Sequence, residues 1–305
     1  MILVAGLTPA WQQITVLDRL RVGEVNRARE VHWCASGKVL NVGLALTQMG
    51  ASVRTLSLVG SDTAGAAIRR DMADLGVDVR WIESNAPQRV CTTLLDRESG
   101  QTTEIVENSA PASESERIAF ESAFADEAAQ AEVELLILTG SLPTETPKGF
   151  YATLLSRVQA PAILDVRGEE LLAALPHRPL VVKPNREELG LTVRRELGSE
   201  DEVWQAMSEI NTRGAEWVVV TNGGSEVFAS RAEERLRFQP PHVNVVNPIG
   251  CGDCFTAGLA WGLQRGADMP FAIRAGIAAA AQNAEQLLPV RLSETVDEIR
   301  QSTTN

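Results

Sequence analysis

Between residues 133 and 221 the chain alternates four short apolar runs with polar, helix-forming segments. No other feature limits its possible folds so strongly. The runs 133–139, 162–166, 180–183 and 217–221 are rich in leucine and β-branched residues. Helical patterning fills the segments near 147–158, 168–175, 186–191 and 200–213. Near-continuous apolar runs are what a strand needs when both its faces are covered, whereas a half-solvated strand alternates. Strands separated by a helix pair in parallel, because the crossover is long enough to return to the same end of the sheet. The pattern therefore predicts an α/β body, a mainly parallel sheet flanked by helices on both faces.

The rest of the chain fits around this body. Residues 1–5 and 54–59 read as strands, and 36–50, 63–75 and 113–130 as helices. Two long helices, about 253–265 and 270–287, close the chain. In 13–34 apolar and polar residues are interspersed, as in half-exposed strands, and 89–96 with 101–107 form a hairpin through Glu98-Ser99-Gly100. These pieces, about 13–34 and 88–107, are expected to leave the body as a small separate sheet, a lid over one edge. With no internal repeat, low-complexity tract or flexible linker, 1–305 reads as a single domain.

A formal net charge of −12 and a pI near 4.9 argue against a nucleic-acid surface. Met1-Ile2-Leu3-Val4-Ala5-Gly6-Leu7 lacks a basic leader, and no later run is long and apolar enough to span a membrane. A cytoplasmic protein without membrane contact is expected. The cysteines, Cys34, Cys91, Cys251 and Cys254, do not suggest a disulfide framework. Cys251-Gly-Asp-Cys254 is a C-x-x-C at a helix start, so a redox role, or a reversible bridge that switches activity, stays open. His32, His177 and His242 have no paired spacing that would favour zinc.

Open parallel sheets bind ligands beyond the carboxyl ends of their strands. Here those ends carry Thr139-Gly140-Ser141, Asp165, Lys183-Pro184-Asn185 and Thr221-Asn222-Gly223-Gly224. The stretch Asn247-Pro248-Ile249-Gly250-Cys251-Gly252-Asp253 then leads into a helix whose apolar stripe is Phe255, Leu259 and Leu263. Gly250 and Gly252 allow successive N–H groups to converge at a helix N-terminus, which attracts anions. Asp253 sits at the edge of that site. Glycines before a helix also make plain turns, and an Asp in a first turn also caps. Anion cradle plus carboxylate is nonetheless the minimum equipment for moving a phosphoryl group onto a hydroxyl.

These residues resemble a known family. Asn247-Pro-Ile-Gly-Cys-Gly-Asp253 is similar to the carboxyl-terminal signature of the ribokinase/PfkB sugar kinases, and Gly37-Lys38-x-x-Asn41 to part of the amino-terminal one. Lys183-Pro-Asn-Arg-Glu-Glu188-Leu, Gly140-Ser-Leu-Pro143 and Val25-Asn-Arg27 resemble the branch of 1-phosphofructokinase and tagatose-6-phosphate kinase. The resemblance implies a ribokinase-like, Rossmann-like fold with a β-sheet lid, and a homodimer through that lid. It implies ATP and Mg2+ as cofactors and a ketohexose monophosphate as acceptor: fructose 1-phosphate, tagatose 6-phosphate or fructose 6-phosphate. By the same resemblance, Gly250, Cys251 and Gly252 would hold the migrating phosphate and Asp253 would accept the hydroxyl proton. Lys183, Asn185, Thr221, Gly223 and Asn283 would contact nucleotide. Asn185 and Glu188 would hold magnesium through water, although Asn185 as N-cap with Glu188 as its partner is also a capping box. Gln12, Arg27, Gly37, Lys38, Asn41, Arg89 and Ser141 would bind the sugar phosphate.

Three departures from the pattern bear on specificity. Gln12 stands where the family has an aspartate that accepts from sugar hydroxyls, and Ser36 and Val39 stand at glycine positions. Val39 is expected to put a branched side chain where backbone should approach the sugar. Glu226 stands at a further glycine position near the nucleotide. Two alternatives remain: a kinase for a non-phosphorylated sugar or nucleoside, and a sugar- or nucleotide-binding protein without catalysis.

Overall fold

β1 (Ile2–Gly6) is buried at every position and lies in the interior of a nine-stranded sheet. The computed structural model describes residues 1–292; residues 293–305 of the expected single domain lie outside the described residues. After β1 come β2 (Ala10–Leu17), β3 (Glu30–Ser36), α1 (Lys38–Gln48), β4 (Val53–Gly60), α2 (Thr63–Asp74) and β5 (Val79–Ser84). β6 (Val90–Asp96), β7 (Thr102–Val106), α3 (Glu114–Ala128), β8 (Leu135–Thr139), α4 (Phe150–Leu155) and β9 (Ala162–Asp165) follow. Next are α5 (Gly168–Ala174), β10 (Val181–Val182), α6 (Arg186–Val193), α7 (Glu200–Thr212) and β11 (Trp217–Val220). The described part ends with β12 (Val227–Arg231), β13 (Glu234–Phe238), α8 (Cys251–Gln264) and α9 (Met269–Ala284).

The large sheet has the order β13-β12-β11-β10-β9-β8-β1-β4-β5. It is parallel from β5 to β11, and β12 and β13 add an antiparallel edge. The strand order reverses between β1 and β8: one branch of the chain leaves β1 through β4, the other returns beside it at β8. Beyond the carboxyl ends of those two strands an α/β sheet has its natural crevice. The sheet divides two apolar cores. One packs α1, α2, α8 and α9 through residues such as Leu44, Ile68, Leu259 and Ile273. The other packs α3, α4 and α7 through Phe120, Phe124, Tyr151 and Met207. α8 is buried along most of its length, which its nearly all-round apolar sequence permits.

The small sheet has the order β3-β2-β6-β7, with β2 parallel to β6. One face, with Ile14, Val16, Cys34 and Leu95, packs against Leu287 and Leu288 after α9. On the other, Trp11 and Trp33 stack at 6.0 Å, and Val31, Trp33 and Ile105 stay exposed.

Three strands have no counterpart in the sequence reading: β5, β12 and β13. β5 lies on the sheet edge, mixing Arg80 and Glu83 with Val79 and Trp81, so no apolar run marks it. β12 and β13 turn through Ala232, which adopts φ 49° where hairpins usually place Asn or Gly, so the turn signal is absent. No described helix is long and apolar enough to cross a membrane.

Candidate active site

α8 starts at Cys251, two residues before the expected start, because Gly250 takes φ 85° and serves as its N-cap. That left-handed conformation suits glycine and brings the first turn of the helix to face the strand ends. No side chain caps α8; Cys251 N donates back to Pro248 O at 3.3 Å, and the helix start carries the positive end of its dipole toward the crevice. Asp253 is in this first turn and is only 7% exposed. Burial drives its pKa up to about 6, and Asp165 adds to the rise; Lys38, Lys183 and Asn41 oppose it. Asn41 Nδ2 donates to Asp253 Oδ2 at 2.7 Å. Asn41 therefore holds the carboxylate through Nδ2, because α1 packs directly against α8 in the same core.

Beneath Asp253 lies a charge cluster, buried at Asp165 and Lys183 and partly open to solvent at Lys38. Asp165, 1% exposed at the end of β9, receives Lys38 Nζ at 2.9 Å on one oxygen. Its other oxygen faces Lys183 Nζ at 3.5 Å and accepts from Thr256 Oγ1 at 3.1 Å. Burial pushes the Asp165 carboxyl up, yet the two ammonium groups and these hydrogen bonds outweigh it and hold it below the usual range. Lys38 also reaches Glu188 Oε1 at 3.3 Å. Burial favours the neutral amine, but Asp165, Glu188 and Asp253 hold Lys38 firmly protonated. Lys183 lies under the glycine loop: a Cβ on Gly252 would stand 3.8 Å from its Nζ. Lys183 and the amides of α8 thus bring positive charge to one spot beside a buried carboxylate.

From sequence Asp165 reads only as a polar strand end, and nothing assigns Thr256 a role. The spacing Asp253-x-x-Thr256, about one helical turn, was the available signal for the second.

Asn185 and Glu188 do form the reciprocal capping box at the start of α6, with Glu188 N donating to Asn185 Oδ1 at 2.7 Å and Asn185 N to Glu188 Oε2 at 3.0 Å. Thr221 is bridged in parallel to Asn185, so the ends of β10 and β11 meet there. Gly223 lies farther out, on the exposed turn before β12. Glu226 pairs with Arg237 at 2.8 Å. Gly37, the N-cap of α1, and Lys38 face the crevice from the other side, across from Thr8 Oγ1, which lies 3.2 Å from Ser141 Oγ.

Four side chains are bonded or packed within the protein in ways the sequence does not suggest. Asn283 is fully buried, and its Nδ2 donates to Ile249 O at 2.9 Å and Cys251 Sγ at 3.2 Å. Val39 does not point at a sugar; its side chain is in the core against Gly6, where a Cβ would come within 2.9 Å of Val39 Cβ. The missing side chain at Gly6 makes the room that Val39 fills. Arg89 does not present a free fork: it donates to Pro9 O at 3.2 Å and Thr8 O at 2.6 Å, tying β6 to the turn after β1. Gln12 is buried on the inner face of the small sheet with Nε2 donating to Thr93 Oγ1 at 2.7 Å, a hydrogen bond the family's aspartate could not donate. Arg27 remains exposed in the loop between β2 and β3.

Burial works against thiolate chemistry at the C-x-x-C pair. Cys254 is fully buried, and burial raises both thiols, so the reactive thiolate is suppressed. Among the described residues no group of three or more His, Cys, Asp or Glu side chains could hold a metal ion.

The pfkB family carbohydrate kinase model matches residues 2–295. Escherichia coli phosphofructokinase-2 in complex with fructose-6-phosphate is 26% identical, with a TM-score of 0.87 over 99% of this chain and 98% of that one. The tetrameric inhibited form of the same enzyme gives 25% and 0.87 over the same shares. Ribokinase from Thermotoga maritima, 19% identical, shares the fold alone, with a TM-score of 0.79 over 100% of this chain and 99% of that one. A family match over nearly the whole chain, on a fold that carries a buried carboxylate in the first turn of an uncapped helix, has one reading: this chain belongs to the pfkB family of carbohydrate kinases and is an ATP-dependent kinase.

Proposed function

We propose that this kinase moves the γ-phosphoryl group of ATP onto a hydroxyl of a ketohexose monophosphate, giving the bisphosphate; fructose 6-phosphate, fructose 1-phosphate and tagatose 6-phosphate are the candidate acceptors. The observation that carries the chemistry is Asp253, buried, tethered by Asn41 and seated in the first turn of α8. As the hydroxyl oxygen bonds to phosphorus, its proton passes to Asp253 and the bond to the leaving ADP breaks. The amides at Gly250, Cys251 and Gly252, with Lys183, receive the charge on the phosphoryl oxygens. Such groups act strongly because they are already oriented and shielded from water. The established neighbour complexed with fructose-6-phosphate supports a phosphosugar acceptor.

Magnesium, which neutralises phosphate charge in such reactions, fits as an ion carried by the nucleotide. The position between Asp165 and Glu188 holds the Lys38 ammonium rather than a bare cation. Glu188 and Asn185 would then act on the ion through its retained waters, as magnesium prefers.

One observation favours the alternative of a neutral acceptor: Arg89 is bound to backbone carbonyls. The readings separate on a panel of sugars and sugar phosphates with ATP, assayed by ADP release, for the wild type and Arg27→Glu. A phosphosugar should be turned over, and Arg27→Glu should lower kcat/KM for it about 10–100-fold through lost phosphate contact. Turnover of neutral sugars alone would reject the phosphosugar reading, and phosphosugar turnover indifferent to Arg27→Glu would remove Arg27 from the acceptor site.

The small sheet, from segments 13–34 and 88–107, acts in this proposal as a lid over the acceptor. Its outer face, with Val31, Trp33 and Ile105 exposed, fits a second copy of this chain. The expected result of Trp33→Glu is a monomer in sedimentation velocity while the wild type sediments as a dimer; a wild-type monomer at micromolar concentration would exclude this interface.

A further inference from the structure

Val290 is the only β-branched residue in the left-handed region among the described residues, with φ 54°. The other non-glycine residues there, Glu145, Arg178, Arg194 and Ala232, are exposed turn positions, whereas Val290 is fully buried. A branched side chain is strained in that conformation and keeps it only where its surroundings enforce it.

Two side chains do so. Asn283, on α9, accepts from Val290 N at 2.6 Å through Oδ1. Gln48, the last residue of α1, donates to Val290 O at 3.2 Å and accepts from Leu292 N at 3.0 Å, gripping this backbone from the other side. Held this way, Val290 abuts the anion loop: a Cβ built on Gly250 would stand 3.4 Å from Val290 Cγ2 and 3.2 Å from Pro289 Cβ. The same Asn283 grips that loop directly, through Ile249 O and Cys251 Sγ. One buried amide thus fastens both the strained residue and the loop it braces. Gln48 links that assembly to α1, which also carries Asn41, the partner of Asp253.

We propose that Asn283 and Gln48 are positioning residues for phosphoryl transfer: they keep Val290 left-handed against Gly250 and so set the aim of the 250–252 amides. The inference rests on those amides receiving the migrating phosphate. Neither side chain touches the reacting groups in this proposal. Their removal should therefore misdirect the amides more than it weakens substrate binding.

Asn283→Ala and Gln48→Ala test it, alone and combined, by steady-state kinetics and by hydrogen exchange of the peptide spanning 248–254. Asn283→Ala should lower kcat by about 10²-fold, the size of loss a small misplacement produces, with KM for ATP changed less than about threefold. Gln48→Ala should lower kcat by roughly threefold or more, and the double variant by less than the product, since both act on one residue. Exchange in 248–254 should quicken in each. Gln48→Glu keeps the acceptor for Leu292 N but loses the donor to Val290 O, and should resemble Gln48→Ala. A folded Asn283→Ala with kcat within threefold of wild type overturns the proposal, as do fully multiplicative effects or unchanged exchange in 248–254. Should Asn283→Ala fail to fold, the Gln48 variants decide on the same readouts. Absence of wild-type turnover on any acceptor would instead count against the proposed function, and exchange alone would then judge the positioning role.

Discussion

Asp253→Asn is expected to lose at least ~10²-fold in kcat while ATP binding, measured by calorimetry, stays near that of the wild type. Asparagine keeps the size and can still meet Asn41, but it cannot take a proton from the attacking hydroxyl. The replacement should not weaken the fold. A carboxyl moved by burial from the usual 3.8 to about 6 is a destabilising element above both values. Its contribution to stability is intact below 3.8 and is lost as pH rises through about 6, where the charge must exist without water. At neutral pH that loss amounts to roughly 2–3 kcal/mol, so removing the charge should leave Tm unchanged or higher. The same carboxyl sets the activity profile: wild-type kcat/KM should fall below about pH 6 as the base protonates, while the residual activity of Asp253→Asn lacks that step. Near-normal turnover by Asp253→Asn, or a wild-type profile flat from pH 5 to 8, would remove Asp253 from the role of base.

How far this site could be read in advance depended on the kind of contact. The parallel body was legible because strands covered on both faces leave unbroken apolar runs, as in β8 and β11. The anion loop was legible because its requirements are local: glycines, a helix start and an acid within one turn. Partner choice was not local. Asn41 and Asn283 matched positions facing substrate, yet their amides are bound inside the protein, to Asp253 and to the 249–251 loop, across 212 and more than 30 positions of sequence. Val39 appeared as an obstruction only because its compensation, Gly6, lies on another element. Arg89 shows the same limit: nothing in its neighbourhood announces that the carbonyls of Thr8 and Pro9 will take its donors.

The other large effect is expected from the cluster beneath the base, where Asp165→Ala should both destabilise the protein and reduce turnover. Asp165 is the carboxylate common to Lys38 and Lys183, and the Lys183 side chain is only 3% exposed. Without Asp165, an ammonium group remains in the interior with no counterion at contact distance on that side. Removing one partner of a buried pair in this way costs about 3–5 kcal/mol, far more than an exposed pair is worth. For a chain of this size that corresponds to a drop in Tm on the order of 10 °C. The pH dependence has a fixed sign. Asp165 is held below its usual 3.8, so its stabilising contribution is present above that value and disappears as pH falls through the lower folded-state value. The gap between wild type and Asp165→Ala should therefore persist at pH 5 and narrow only in stronger acid. Asp165→Ala combined with Lys183→Met removes the stranded charge and should recover part of the lost Tm, since an apolar pair can replace a buried ion pair with little loss. It should not recover turnover, because the ammonium beside Gly252 is then absent. Calorimetric melting of the two single variants and the double variant decides the matter: if Asp165→Ala melts within about 2 °C of wild type, or the double variant melts lower than both singles, the cluster is not the electrostatic unit that supports the active site.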